Sequence, residues 1–216
     1  IAPLRPMREI MQAQPSSSPA SPAGQSIAPQ DRRRHQRIQF DKPLPMGVGH
    51  RGERAVGGLE NLSLGGLMFR CALQLSVGET VGCEFHVFDS PLIDIAATIT
   101  SRIGKDLYGA RFQAGPMSHH LVEDSINAAI EDGKATILTI HDLPGGRVMR
   151  IAGGLSASTR NDFMHAVQRV GVVEIDLSEV TMIDGEGVSM CELAVSRFGV
   201  RAERRSACVQ AAWQRA

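Results

Sequence analysis

Two arginines four residues apart, Arg33 and Arg37 in DRRRHQR, have the type and spacing to hold phosphate. A guanidinium grips phosphate oxygens bidentately and stacks on a purine face. Some twenty-five residues on, NLSLGG supplies an amide (Asn61), a hydroxyl (Ser63) and a glycine (Gly66). Asn61 can both donate to and accept from a guanine edge, and Ser63 can add one bond. Gly66 permits either a positive φ or the close approach of backbone to a flat base. The two patterns, RxxxR and NxSxxG, are those of an anion and base site, provided that a fold brings them together.

The elements that must do so are legible as periodicity. Residues 1–30 hold six of the eleven prolines and five serines, too little apolar surface to offset ordering, so disorder is expected there. From Arg37 to Phe112 short apolar runs are broken by glycines and charges. Candidate strands are Ile38–Phe40 with Leu44–Val48, Ala55–Leu62, Gly66–Cys71, Thr80–Val87, Ile93–Arg102 and Tyr108–Phe112. Alternation in CEFHVF and DIAATITS buries every second side chain, and short strands with no long helix between them indicate a small sandwich or barrel. Residues 118–132 switch to helical spacing, with Leu121, Ile126, Ala129 and Ile130 on one face, Ser118 as cap and Gly133 as stop. The order then becomes strand, strand, helix, strand, helix over Ala135–Ile140, Arg147–Ile151, Ser158–Val170, Val172–Leu177 and Gly187–Phe198, which predicts an α/β layer.

RxxxR, NxSxxG in this order and the closing YGARF (Tyr108–Phe112) together resemble a PilZ domain over roughly residues 31–115. The resemblance implies a six-stranded Greek-key β-barrel that binds cyclic di-GMP. It implies Arg33 and Arg37 on phosphates and guanine, with Asn61, Ser63 and Gly66 on the other side of the ligand. An arginine just before the motif, here Arg32, accompanies two stacked ligand molecules in that family. Ordering residues 32–37 costs roughly 6–12 kcal/mol at about 1–2 each. Charge-assisted bonds return about 1.5–3 kcal/mol apiece, so roughly four are needed. The linker is thus expected to be loose alone and to wrap over a ligand.

Residues 135–198 resemble a STAS domain through RVMRIAGGLSAST and VVEIDLSEVTMIDGEGV. In that family a phosphorylated serine directly follows the loop aspartate. Here Gly185 follows Asp184, which argues against a phospho-switch; Asp184 and Gly187 alternatively only cap and turn into the next helix. After Gly199 the family continues with an apolar strand and further helices, whereas this chain reads VRAERRSACVQAAWQRA, an incomplete end. The organisation expected is a disordered segment 1–30, a PilZ-like barrel 31–117, a connecting helix 118–133 and a STAS-like α/β domain 134–216. Its uncovered apolar surface would take a partner protein or a dimer contact.

Composition narrows the functions. Formal net charge is zero, so no global field recruits a polyanion. The one tyrosine and one tryptophan lie away from the arginine cluster, so the stacking platforms of single-strand nucleic-acid binders are lacking. No apolar run approaches the roughly 18 residues of a membrane span, and IAPLRPMREIMQAQP lacks the stretch of a secretory signal. Cys71, Cys83, Cys191 and Cys208 form no CxxC pair, which fits reduced thiols in a cytoplasmic protein. Asp89, Asp94, His119, His120 and His141 fall in no nucleophile or metal pattern, and adjacent His119 and His120 diverge on a helix. No enzyme, metal or cofactor is expected. The reading is a cyclic di-GMP receptor that passes occupancy to a protein partner; a nucleotide-independent interaction module is the alternative.

Overall fold

The computed structural model describes residues 36–215. The segment expected to be disordered, with Arg32 and Arg33, lies outside the described residues. Six strands come first: β1 (Ile38–His50), β2 (Glu53–Ser63), β3 (Gly66–Arg70), β4 (Thr80–Phe85), β5 (Ile93–Ile103) and β6 (Leu107–Phe112). All pair antiparallel in the order β1-β2-β3-β6-β5-β4, and β4 returns to β1, which closes a barrel and removes its edges. The β1–β2 hairpin turns on Arg51 and Gly52, both at positive φ, the backbone that matches strand twist in a two-residue turn. Between Gln39 and Leu44 the β1–β2 register shifts, so the two apolar runs read from the sequence are one strand with a bulge.

Alternate side chains of these strands fill the barrel: Ile38, Leu62, Leu67, Ala110 and Ile99 face inward in one layer. Tyr108 is fully buried beside Phe69, ring centroids 5.7 Å apart. Its hydroxyl lies 2.9 Å from the Leu73 carbonyl and 3.2 Å from that of Lys105, and receives the Leu75 amide at 3.4 Å. Tyr108→Phe leaves the buried Leu75 amide without its partner and takes the 2.9 Å bond from the Leu73 carbonyl, so a loss of about 1–3 kcal/mol is expected in urea unfolding. A midpoint unchanged from wild type would show that water replaces the hydroxyl.

Helix α1 (Pro116–Glu131) begins two residues before the expected cap: Gly115 is the N-cap and Pro116 takes the first turn, where its missing N–H costs nothing. Ser118 lies inside the helix. Val122, Ile126 and Ala129 join the barrel core, and Gly133, at φ 67°, ends the turn that follows.

Beyond α1, β7 (Ala135–Leu143) and β8 (Gly146–Leu155) form an antiparallel pair, and β9 (Val172–Ile183) runs parallel to β8. The crossover between them comprises a 3-10 turn (Ala157–Thr159), α2 (Arg160–His165) and a π-helical turn (Ala166–Val170). Then come α3 (Gly185–Phe198) and α4 (Ala207–Trp213). Arg201 and Arg205 bridge in parallel to Glu174 and Leu177 of β9, an abbreviated further strand. The expected order of strands and helices is observed; this run and α4 are additional. Met149, Ile151, Ile175 and Leu177 of the sheet pack with Phe163, Val167, Met190 and Cys191 in a second core. The two cores belong to one nine-stranded sheet because β1 pairs β7 through Gln39–Thr136 and Phe40–Ala135. All four cysteines are free; burial pushes the Cys83 and Cys191 thiols up to about 12, which makes them inert.

Candidate ligand-binding site

Strand register, not sequence proximity, assembles the polar row. At one end of the barrel, β1 and β2 pair as Ile38–Leu62 and Gln39–Asn61, so Arg37 lies next to Ile38 where the register continues toward Ser63. β2 and β3 pair as Ser63–Gly66 and Asn61–Met68, and β3 meets β6 as Gly66–Arg111. Because side chains alternate, Asn61, Ser63 and Gly66 face away from the layer of Leu62 and Leu67. Arg37, the last residue of RxxxR, and the NxSxxG residues therefore converge on the outer side of the sheet at one end of the barrel. Of the predicted set, Arg37, Asn61, Ser63 and Gly66 are brought together; Arg32 and Arg33 lie outside the described residues.

The row has unequal hydrogen bonding. Ser63 is 7% exposed and its Oγ donates to the Gly66 carbonyl at 3.1 Å, which closes the β2–β3 turn and leaves the oxygen's lone pairs as acceptors. The Asn61 side chain donates only to the Met68 thioether, at 3.6 Å, a weak acceptor. Its Oδ1 is buried and has no hydrogen-bond partner, alone in this among the described residues. A buried carbonyl left so costs about 1–3 kcal/mol. Such an oxygen keeps the capacity to accept one further donor.

Gly66 resolves the two roles allowed for it. Its φ is not positive, and a Cβ placed on it would sit 2.1 Å from the Ala110 carbonyl oxygen. The close approach that demands glycine is thus to the backbone of β6. Period-two alternation in YGARF would also have placed Arg111 on the outward side beside Gly66, where it is exposed. That strand reads first as the closing element of the barrel, and the arginine is easily passed over.

In the second layer Asp176 is buried at 1% exposure. Burial works against its charge, but the Ser178 hydroxyl and amide, at 2.6 and 3.1 Å, and the Arg204 and Arg150 guanidiniums outweigh it and hold its pKa below the usual carboxylate value. Asp184 caps α3: its Oδ1 accepts the Gly187 amide at 2.7 Å. A Cβ on Gly187 would lie 2.4 Å from the Leu155 carbonyl oxygen, so both residues have structural reasons to be present. Among the described residues no cluster of three or more His, Cys, Asp or Glu could hold a metal ion, and no helix is long and apolar enough to cross a membrane.

A closed six-stranded antiparallel barrel with a polar row at one end defines a small β-barrel domain. Residues 31–132 match the family model described as PilZ domain. Among solved structures, the PilZ domain of YcgR from Escherichia coli, described with c-di-GMP, is 20% identical over 45% of this chain and 91% of that one, with a TM-score of 0.40. The inhibitor of motility MotI/DgrA from Bacillus subtilis is 16% identical over 46% of this chain and 51% of its own, with a TM-score of 0.37. The PilZ domain of CeSA from a cellulose-synthesizing bacterium is 18% identical over 43% of this chain and 95% of its own, with a TM-score of 0.36. This chain thus spans about half the length of MotI/DgrA. No curated protein matches the chain significantly.

Proposed function

We propose that this protein is a cyclic di-GMP receptor whose ligand lies across the row of Arg37, Asn61, Ser63 and Gly66. The observation that carries the reading is the buried, unpartnered Oδ1 of Asn61 at the end of the barrel where Arg37 enters β1. A guanine edge offers the N–H donors that this oxygen lacks and acceptors for its amide, while the Ser63 oxygen can receive one further bond. Arg33 and Arg37 hold phosphates and stack on a base, and Arg32 holds a second, stacked ligand molecule. Gly66 contributes by letting β3 approach β6, which sets the floor of the site.

The α/β layer is a STAS-like adaptor that presents ligand occupancy to a protein partner or to a second copy of the chain. The protein acts in the cytoplasm, where this ligand is found, and performs no catalysis of its own. A nucleotide-independent interaction module is the second reading, and it gives no reason for a buried amide without a donor.

Isothermal titration calorimetry of the purified chain with cyclic di-GMP tests the receptor reading. Binding at micromolar concentrations or tighter is expected, with two ligands per chain in wild type and one in Arg32→Ala. An Arg33→Ala, Arg37→Ala double variant serves as control and gives no heat. A folded wild-type protein that also gives none leaves the interaction module in front.

A further inference from the structure

We propose that the first residues of β1 are a mechanical link through which occupancy of the ligand row is felt by the β8–α2 crossover; the inference rests on the receptor reading above. The strand is shared between two neighbours at this point. On one side Ile38 pairs with the core residue Leu62, and Gln39 with Asn61 of the ligand row. On the other, Gln39 and Phe40 pair with Thr136 and Ala135 of β7. The residue that stands in register with Asn61 is therefore also the first to meet the second layer.

Side chains extend the connection to one short segment. Gln39 Nε2 donates to Asp162 Oδ2 on α2 at 2.6 Å. Asp41 Oδ1 accepts from both Ser156 Oγ, at 2.9 Å, and Ser158 Oγ, at 2.6 Å. These serines sit at the start of the 3-10 turn, which Thr159 closes by donating to the Ser156 carbonyl at 2.7 Å. The crossover is thus tied to β1 near both ends of its first seven residues. The β1–β2 register breaks immediately after Gln39 and resumes at Leu44, so residues 40–43 form no ladder with β2. A cleft of about 410 Å³, lined by Asp41, Lys42, Phe88, Lys134, Leu155 and Asp184, leaves this stretch room to shift.

Local opening of residues 38–41 breaks the pairing with β2 and the contacts with the crossover together. A ligand that holds Arg37 and Asn61 suppresses that opening, and so suppresses opening of residues 156–165, which touch no ligand. Asp41 and Asp162 are positioning residues in this scheme and lie outside the ligand row.

Hydrogen exchange by mass spectrometry, on the full chain with and without saturating cyclic di-GMP, separates the possibilities, with calorimetry in parallel. In wild type the ligand is expected to slow exchange at 61–66 and, by about fivefold, at 156–165. In an Asp41→Ala, Asp162→Ala variant it still binds and still protects 61–66, but leaves 156–165 unchanged. Without ligand, the same variant exchanges faster than wild type at 38–41. Protection of 61–66 alone in wild type, or protection of 156–165 that survives in the variant, overturns the link. If calorimetry gives no heat, the receptor reading fails first, and the comparison without ligand decides the link: unchanged exchange at 38–41 overturns it.

Discussion

Asn61→Leu is expected to abolish most of the affinity for cyclic di-GMP, about 100-fold, while the folded protein loses no stability. The two halves of this result have one cause. The Oδ1 of Asn61 is buried without a donor, and its amide has only the Met68 sulfur at 3.6 Å. Leucine has nearly the same shape and no polar atom to leave unsatisfied, so the substitution removes a cost of about 1–3 kcal/mol instead of a bond. Replacing a poorly satisfied polar group by an apolar one of the same shape is close to neutral or stabilising. In the complex the balance reverses, since two hydrogen bonds to a guanine edge vanish and the base meets an apolar side chain. Losses of that size amount to roughly 2–3 kcal/mol, or about 100-fold in Kd. Thermal unfolding without ligand and calorimetry with it measure the two halves separately. A variant that binds like wild type removes Asn61 from the site; one that unfolds shows that the amide is structural.

How much of this arrangement the sequence discloses depends on the range of the interactions involved. Strands β2 to β6 were legible almost to their ends because alternation and glycine-bounded turns are local signals. The two pieces of β1 were visible too, but that they form one strand with a bulge depends on what β2, β4 and β7 offer as partners. Helical spacing points to Ser118, a good cap by type, as the start of α1, whereas Pro116 two residues earlier already fits the first turn and Gly115 takes the cap without a side-chain bond. The Gln39–Asp162 and Asp41–serine contacts span more than a hundred residues, and no spacing rule announces them. Likewise VRAERRSA lacks the apolar run of a strand, yet it lies beside β9, where the Ile175 and Leu177 amides donate to the Arg201 and Arg204 carbonyls and Val200 and Ala202 are buried in the second core. In the site, the motifs single out residue types, but only the folded structure shows that Asn61 Oδ1 has no partner and that Gly66 packs against β6.

That last distinction leads to the second large effect. Gly66→Ala is expected to destabilise the barrel by about 3 kcal/mol, because the new methyl would lie 2.1 Å from the Ala110 carbonyl oxygen and 3.1 Å from the Arg111 Cα. Neither atom can yield by rotating a side chain, so β3 must move away from β6 and lose pairing over Gly66–Arg70. A loss of that size lowers Tm by roughly 10 °C in a chain of this length. Gly49→Ala in β1 is the matched comparison: nothing lies within 4 Å of the added methyl and its φ is not positive, so a change below about 1 kcal/mol is expected. Loss of ligand binding in Gly66→Ala would then follow from the displaced β3, and calorimetry on this variant alone would misassign the glycine as a ligand contact. The two causes separate at low temperature, where the variant is still folded. A contact role predicts weak binding by a barrel as stable as wild type, whereas the packing role predicts low stability that added ligand partly restores.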